Sequence, residues 1–135
     1  MTQAFWIPLD ELQPSQLYVS QIKLDRVMRW FDPAHMERVE PLPVKDLGGY
    51  VVLTDGHARA LAAYLHHCET IPVSWNTDSL DWEAYAICVR WCQEAGIWMI
   101  ADLEDQVLPA EEYEVQWIER CRVMFQGLAA RRASA

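Results

Sequence analysis

Val52-Leu53-Thr54-Asp55-Gly56-His57-Ala58-Arg59-Ala60-Leu61-Ala62 is the stretch that decides how this chain is read. An apolar run from Tyr50 to Leu53 stops at Asp55-Gly56, and a helix-forming segment begins at once. Strand, tight turn and helix in that order aim free backbone N–H groups and the positive end of a helix dipole at one spot. His57 and Arg59 fall in the first turn of that helix, where both side chains lean over the same spot. Asp55, just before it, can accept a hydroxyl proton or help hold a metal. The pattern predicts a phosphate cradle. A plain helix start with Asp55 as its N-cap is the bland alternative, but a cap needs neither the glycine nor an arginine three positions on.

Outward from this turn, Phe5–Leu9 reads as a first strand closed at Pro14, and Ser20 as the cap of a helix running to about Phe31, where Asp32-Pro33 ends it. A second strand is expected over about Leu42 to Leu47. Gly48-Gly49 then makes a hairpin turn into Tyr50–Thr54. The motif helix should run from Gly56 to about His67, followed by a strand at Thr70–Trp75. Past that point Asn76-Thr77-Asp78-Ser79 offers N-caps for a helix from Leu80 to Ala95, with Gly96 as its C-cap. Residues 97–108 fit a short helix beginning near Met99. Pro109 suits the first turn of a last helix that reaches about Gly127, with Tyr113, Trp117, Cys121 and Met124 on one face. Residues 128–135 are expected to fray.

These residues carry a family resemblance. Gly56-x-x-Arg59-x-x-Ala62 has the spacing of the phosphate-contacting motif of the ParB N-terminal domain, and Asp55-Gly56-His57-x-Arg59 resembles the signature of that domain's relatives, which include ADP-dependent free-serine kinases. Ile7-Pro8-Leu9-Asp10-Glu11-Leu12-Gln13-Pro14 is similar to the family's opening strand and turn. Pro41-Leu42-Pro43-Val44 and Thr70-Ile71-Pro72-Val73 are similar to later strands. The resemblance covers roughly residues 5–75. It implies an α/β (α+β) fold, a small mixed sheet of ParB/sulfiredoxin type. The helical spacing after residue 75 adds a C-terminal extension over 76–127, expected to pack on that core, and the length predicts a single domain of 1–135. It also implies a nucleotide site (ATP, ADP or CTP, with Mg²⁺) in which Gly56, His57 and Arg59 hold phosphate, Ser20 and Lys23 complete the pocket from the preceding helix, and Asp55 is the candidate catalytic residue.

Two departures restrict the chemistry that the resemblance implies. Sulfiredoxins need a nucleophilic cysteine where this chain has His57, which excludes sulfinic-acid reduction. In the serine kinases a Pro-x-Glu in the early turn supplies the base, and the matching stretch here is Pro14-Ser15-Gln16. Glutamine cannot take a proton from a hydroxyl near neutral pH, and Glu11 is the nearby carboxylate that would have to substitute. The CTP-switching ParB proteins carry a Glu-Arg pair where this chain has His57-Ala58.

Composition narrows the function further. At 135 residues the chain holds one core, and a net charge of −9 argues against a general nucleic-acid binder. No stretch of apolar residues is long enough for a membrane span, no secretion signal is recognisable, and four cysteines are too sparse for a disulfide scaffold, so a cytoplasmic protein is expected. Cys88-x-x-x-Cys92 sits among Ile87, Val89 and Trp91 and reads as core thiols; no metal site is expected. The favoured function is binding of a nucleotide or phosphorylated ligand at Asp55–Arg59, with phosphoryl transfer as its extension. The alternative is a protein-interaction module using the tryptophan-rich helical half, since the chain has seven tryptophans. A DNA-partitioning or regulatory role is a third reading, set back by charge.

Overall fold

The computed structural model describes residues 3–134. Its centre is a five-stranded mixed sheet built from β1 (Phe5–Pro8), β2 (Leu12–Gln13), β4 (Leu42–Leu47), β5 (Tyr50–Leu53) and β6 (Thr70–Trp75), in the order β1-β6-β4-β5-β2. β1 runs antiparallel to β6, β6 parallel to β4, β4 antiparallel to β5, and β5 parallel to β2. The β4–β5 hairpin follows from Gly48 and Gly49, whose φ values of 61° and 87° are those a tight two-residue hairpin turn needs. Leu42 and Val44 alternate inward from Pro43 and Lys45, while Ile71, Pro72 and Val73 are buried in succession because β6 lies inside the sheet.

Two helices from the first half pack against each other, and their buried residues join those of the sheet in one core. α1 (Gln21–Trp30) begins at Ser20, whose hydroxyl accepts from the Lys23 backbone N–H at 3.3 Å. α2 (His57–Leu65) connects β5 to β6 and buries Ala60, Leu61, Ala62 and Ala63, three of them small enough for close approach of its neighbours. It stops two residues short of the expected end, and His67 takes a left-handed φ of 62° to turn the chain into β6.

The second half contributes α3 (Trp82–Glu94), a 3₁₀ turn over Ile100–Gln106, and a nearly continuous final helix: α4 (Ala110–Tyr113), one π turn over Glu114–Ile118, and α5 (Glu119–Ala133). The cap of α3 is Asp81, which accepts from the Ala84 N–H at 3.1 Å; the polar run at 76–79 precedes it as a loop. Gly96, at φ 80°, closes α3 with Ile97 N–H to Cys92 O and Gly96 N–H to Gln93 O, the paired bonds of a Schellman end.

The helical extension also carries one short strand, β7 (Val107–Leu108), which pairs in parallel with β3 (Val19–Ser20) beside the start of α1. One expectation needs correction: the segment from 128 does not fray, since α5 continues through Gly127 to Ala133. Leu128 is buried, and Arg131 and Arg132 form ion pairs with Glu83 and with Asp81 and Glu83, which tie the last turns to the start of α3. Ala135 lies outside the described residues. Ile100 and Leu103 are fully buried in the same cluster as Leu12, Leu42, Leu61 and Val73, so both halves share one core. Among the described residues no helix is long and apolar enough to cross a membrane.

Candidate functional site

The β5–α2 turn is built around Gly56, which occupies the N-cap position of α2 with φ 85° and ψ 28°. A Cβ added there would lie 2.7 Å from Leu42 Cδ2 and 2.8 Å from Arg59 Nη2. Glycine is therefore favoured by the left-handed backbone, and its missing side chain lets the Arg59 guanidinium lie close. No side chain caps α2, and Asp55 is exposed, so the helix start keeps its backbone donors.

His57 departs from the picture of a side chain leaning over the turn beside Arg59. It is only 3% exposed, and its Nε2 accepts the Ser15 backbone N–H at 3.0 Å. Ser15 is fixed in turn by its hydroxyl, which donates to the Leu53 carbonyl at 2.6 Å. Burial pushes the imidazole pKa down to about 4; nearby Lys23 acts in the same direction and Asp55 opposes it. The ring is neutral near pH 7, and because Nε2 accepts, the proton sits on Nδ1. That Nδ1 is buried and has no hydrogen-bond partner among the described residues.

A cavity of about 250 Å³ opens at this place, walled by Ser20, Lys23, Arg26, Gly56, His57 and Arg59 together with Gln16, Asp55 and Tyr113. All six site residues expected from the sequence thus meet on it. Arg26, one turn beyond Lys23 on α1, is a third cation that the sequence reading passed over, although its i,i+3 spacing from Lys23 puts both on one face. A larger cavity of about 640 Å³ is also bordered by Asp55 and Arg59, with Glu40, Thr54, Asn76, Asp78 and Tyr85 among its walls. Gln16, Asp55 and Arg59 border both. Glu11, in a 3₁₀ turn, borders neither; Glu40 and Asp78 are the carboxylates that line the larger cavity with Asp55.

The end of β5 is held from three directions. Thr54 donates through its hydroxyl to the Pro43 carbonyl at 3.1 Å and accepts from Asn76 Nδ2 at 3.0 Å, while the Tyr85 hydroxyl donates to the Thr54 carbonyl at 3.2 Å. The C-terminal half thereby positions the turn, a role with no local signal in the sequence. Gln13 adds a second tie, donating to the Ile97 carbonyl at 3.0 Å and accepting from Gln93 at 3.2 Å. Among the described residues no group of three or more His, Cys, Asp or Glu side chains is arranged to hold a metal by itself.

No protein-family model matches the chain, and no curated protein matches it. Among solved structures, protein Atu1540 from Agrobacterium tumefaciens, a protein of ParB/sulfiredoxin fold, is similar with a TM-score of 0.53 at 16% identity, over 77% of this chain and 63% of that one. Sulfiredoxin from Arabidopsis thaliana is similar with a TM-score of 0.47, also at 16% identity, over 65% of this chain and 98% of that one. This chain thus spans less than two thirds of the length of Atu1540. The mixed α/β fold is of the ParB/sulfiredoxin kind, and at such identity the likeness extends to fold alone.

Proposed function

We propose that this protein binds the phosphate end of a nucleotide or a similar phosphorylated ligand in the cavity beside the β5–α2 turn. The observation that carries the reading is the buried, neutral His57 with an unpartnered Nδ1–H on a wall shared with Lys23, Arg26 and Arg59. An unmet buried donor costs about 1–3 kcal/mol, and a ligand oxygen that takes it recovers that loss. Three cations grouped in a chain of net charge −9 favour an anion of more than one charge. In this reading the uncapped N–H groups of α2 and the Arg59 guanidinium hold a phosphate, the latter bidentately. The Ser20 hydroxyl, whose oxygen is occupied by the cap, still has its proton to donate. A Mg²⁺ ion entering with a polyphosphate keeps most of its water and needs only one or two protein carboxylates, which Asp55 and Glu40 supply.

For transfer to a hydroxyl, a base would have to come from Glu40, Asp55 or Asp78, the carboxylates of the larger cavity, because Gln16 borders both cavities but cannot accept a proton. A second reading, docking of a protein partner, draws on Val115, Ile118, Val123 and Phe125, all exposed on the last helical segment. The tryptophans of the helical half favour it less: Trp117 is buried, Trp82 and Trp91 are half-buried, and three of the four exposed tryptophans, Trp6, Trp30 and Trp75, lie in residues 5–75.

Calorimetric titration with ATP, ADP, CTP, GTP and pyrophosphate, with and without Mg²⁺, tests the proposal. At least one should bind, and Arg59→Ala should weaken it by about tenfold or more, as expected for loss of a charge-assisted pair. Equal affinity in wild type and variant removes this site from consideration.

A further inference from the structure

Three of the four cysteines take no part in the phosphate site and meet at one place. Cys88 and Cys92 lie one turn apart on α3, and Cys121 faces Cys88 from α5. Cys88 and Cys121 both line a cavity of about 170 Å³, bounded also by Ser15, Gln16 and Met124, while Cys92 is wholly buried. The Arg120 guanidinium sits 4.1 Å over the Trp91 ring, which meets Trp117 nearly edge-on at 6.1 Å, and its charge acts on all three sulfurs. The two thiols act on one another, which pushes Cys88 up and Cys121 down. Cys121 is also the more accessible of the two. A small oxidant entering the cavity therefore meets two thiols on its wall, of which Cys121 is the more accessible and the more readily ionised.

We propose that Cys88 and Cys121 form a dithiol modification site that reacts with a peroxide and closes to a disulfide joining α3 to α5. The Cys121 thiolate attacks one peroxide oxygen; the O–O bond breaks, and the departing hydroxide takes a proton to become water, leaving Cys121 as a sulfenic acid. The Cys88 sulfur then attacks the Cys121 sulfur. The S–S bond forms, the S–O bond breaks, and hydroxide leaves with the Cys88 proton as a second water. The two thiols together lose two electrons, which reduce the peroxide. Cys68, beyond the end of α2, is a poorer nucleophile because burial raises its thiol pKa, and it serves as the internal control.

The test is exposure of the folded full chain to hydrogen peroxide, followed by thiol counting and peptide mapping without reduction. Wild type should fall from four free thiols to two, yield a Cys88–Cys121 cross-linked peptide, and recover all four with dithiothreitol. Cys88→Ser should stop at a sulfenic acid on Cys121 that dimedone traps, and Cys121→Ser should keep its three thiols over the same interval. The wild-type map decides the matter if either serine variant misfolds. A cross-link between any other pair, oxidation of Cys68 ahead of Cys121, or four thiols persisting until the protein unfolds would overturn the proposal.

Discussion

Replacing His57 by glutamine should flatten the acid limb of the protein's stability curve. In the folded chain burial holds this imidazole down at about 4, against an ordinary 6.5 when the chain is open. As pH falls below 6.5 the unfolded state binds the proton first, so stability present in full above that value drains away toward pH 4 and then levels. At about 1.4 kcal/mol per unit of pKa difference, the loss is roughly 2 kcal/mol at pH 5 and about 3 kcal/mol once both states are protonated. That is a large part of the roughly 5–15 kcal/mol typical of a domain. Urea unfolding at a series of pH values from 7.5 to 4.5 measures it. His57→Gln keeps an acceptor for the Ser15 N–H but has no charge to gain. The difference in slope between the two proteins therefore isolates His57 from the carboxylates and from the other three histidines. Parallel curves for wild type and variant across pH 6.5 to 4.5 would refute the assignment of a buried neutral imidazole.

Other outcomes follow from the same geometry. Gly56→Ala places a methyl 2.7 Å from Leu42 Cδ2 and forces a left-handed φ on alanine, so denaturant unfolding should show a loss of about 1–3 kcal/mol; a change within about 0.5 kcal/mol would contradict the packing described. Truncation after Trp75 removes Ile100, Leu103 and Trp117 from the core, the strand beside Ser20 and the Tyr85 bond to Thr54, and should give insoluble or molten protein by near-UV circular dichroism. A cooperative 1–75 fragment would show that the second half is an accessory. Assayed with ADP or ATP, the wild type should form no phosphoserine from free serine, because Gln16 stands at the position that resembles the kinases' base and no carboxylate replaces it there. If product appears, Glu40→Gln is the variant to make next, since Glu40 and Asp55 border one cavity and Glu11 does not.

The parts of the fold legible in the sequence are those whose cause is local. Leu42–Leu47, Gly48-Gly49 and Thr70–Trp75 take the expected structure because alternation, positive-φ turn residues and a short apolar run each act within a few positions. Ser20 caps α1 for the same reason. What stayed hidden depends on contacts distant along the chain: Ser15 with His57, Tyr85 with Thr54, Gln13 with Ile97, and the two-residue pairing of Val19-Ser20 with Val107-Leu108. Gly127 misled because glycine in an exposed helix costs only about 1 kcal/mol relative to alanine. Burial of Leu128 and the ion pairs of Arg131 and Arg132 offset that cost. At the site, the spacing Gly56-x-x-Arg59 located the turn correctly, yet it carried no information that His57 would fold inward, because its partner Ser15 lies 42 residues away.

Nuclear magnetic resonance of ¹⁵N-labelled protein titrated with pyrophosphate, and then with ATP, addresses the central claim at the atoms concerned. The free protein should show a neutral His57 with its proton on Nδ1. Addition of ligand should shift that Nδ1–H together with the backbone amides of His57, Ala58 and Arg59 and those at the Ser20–Lys23 start of α1, saturably and at one common affinity. If binding is saturable but those resonances stay in place, or if His57 carries its proton on Nε2 in the free protein, the proposal of a phosphate site at the β5–α2 turn is contradicted.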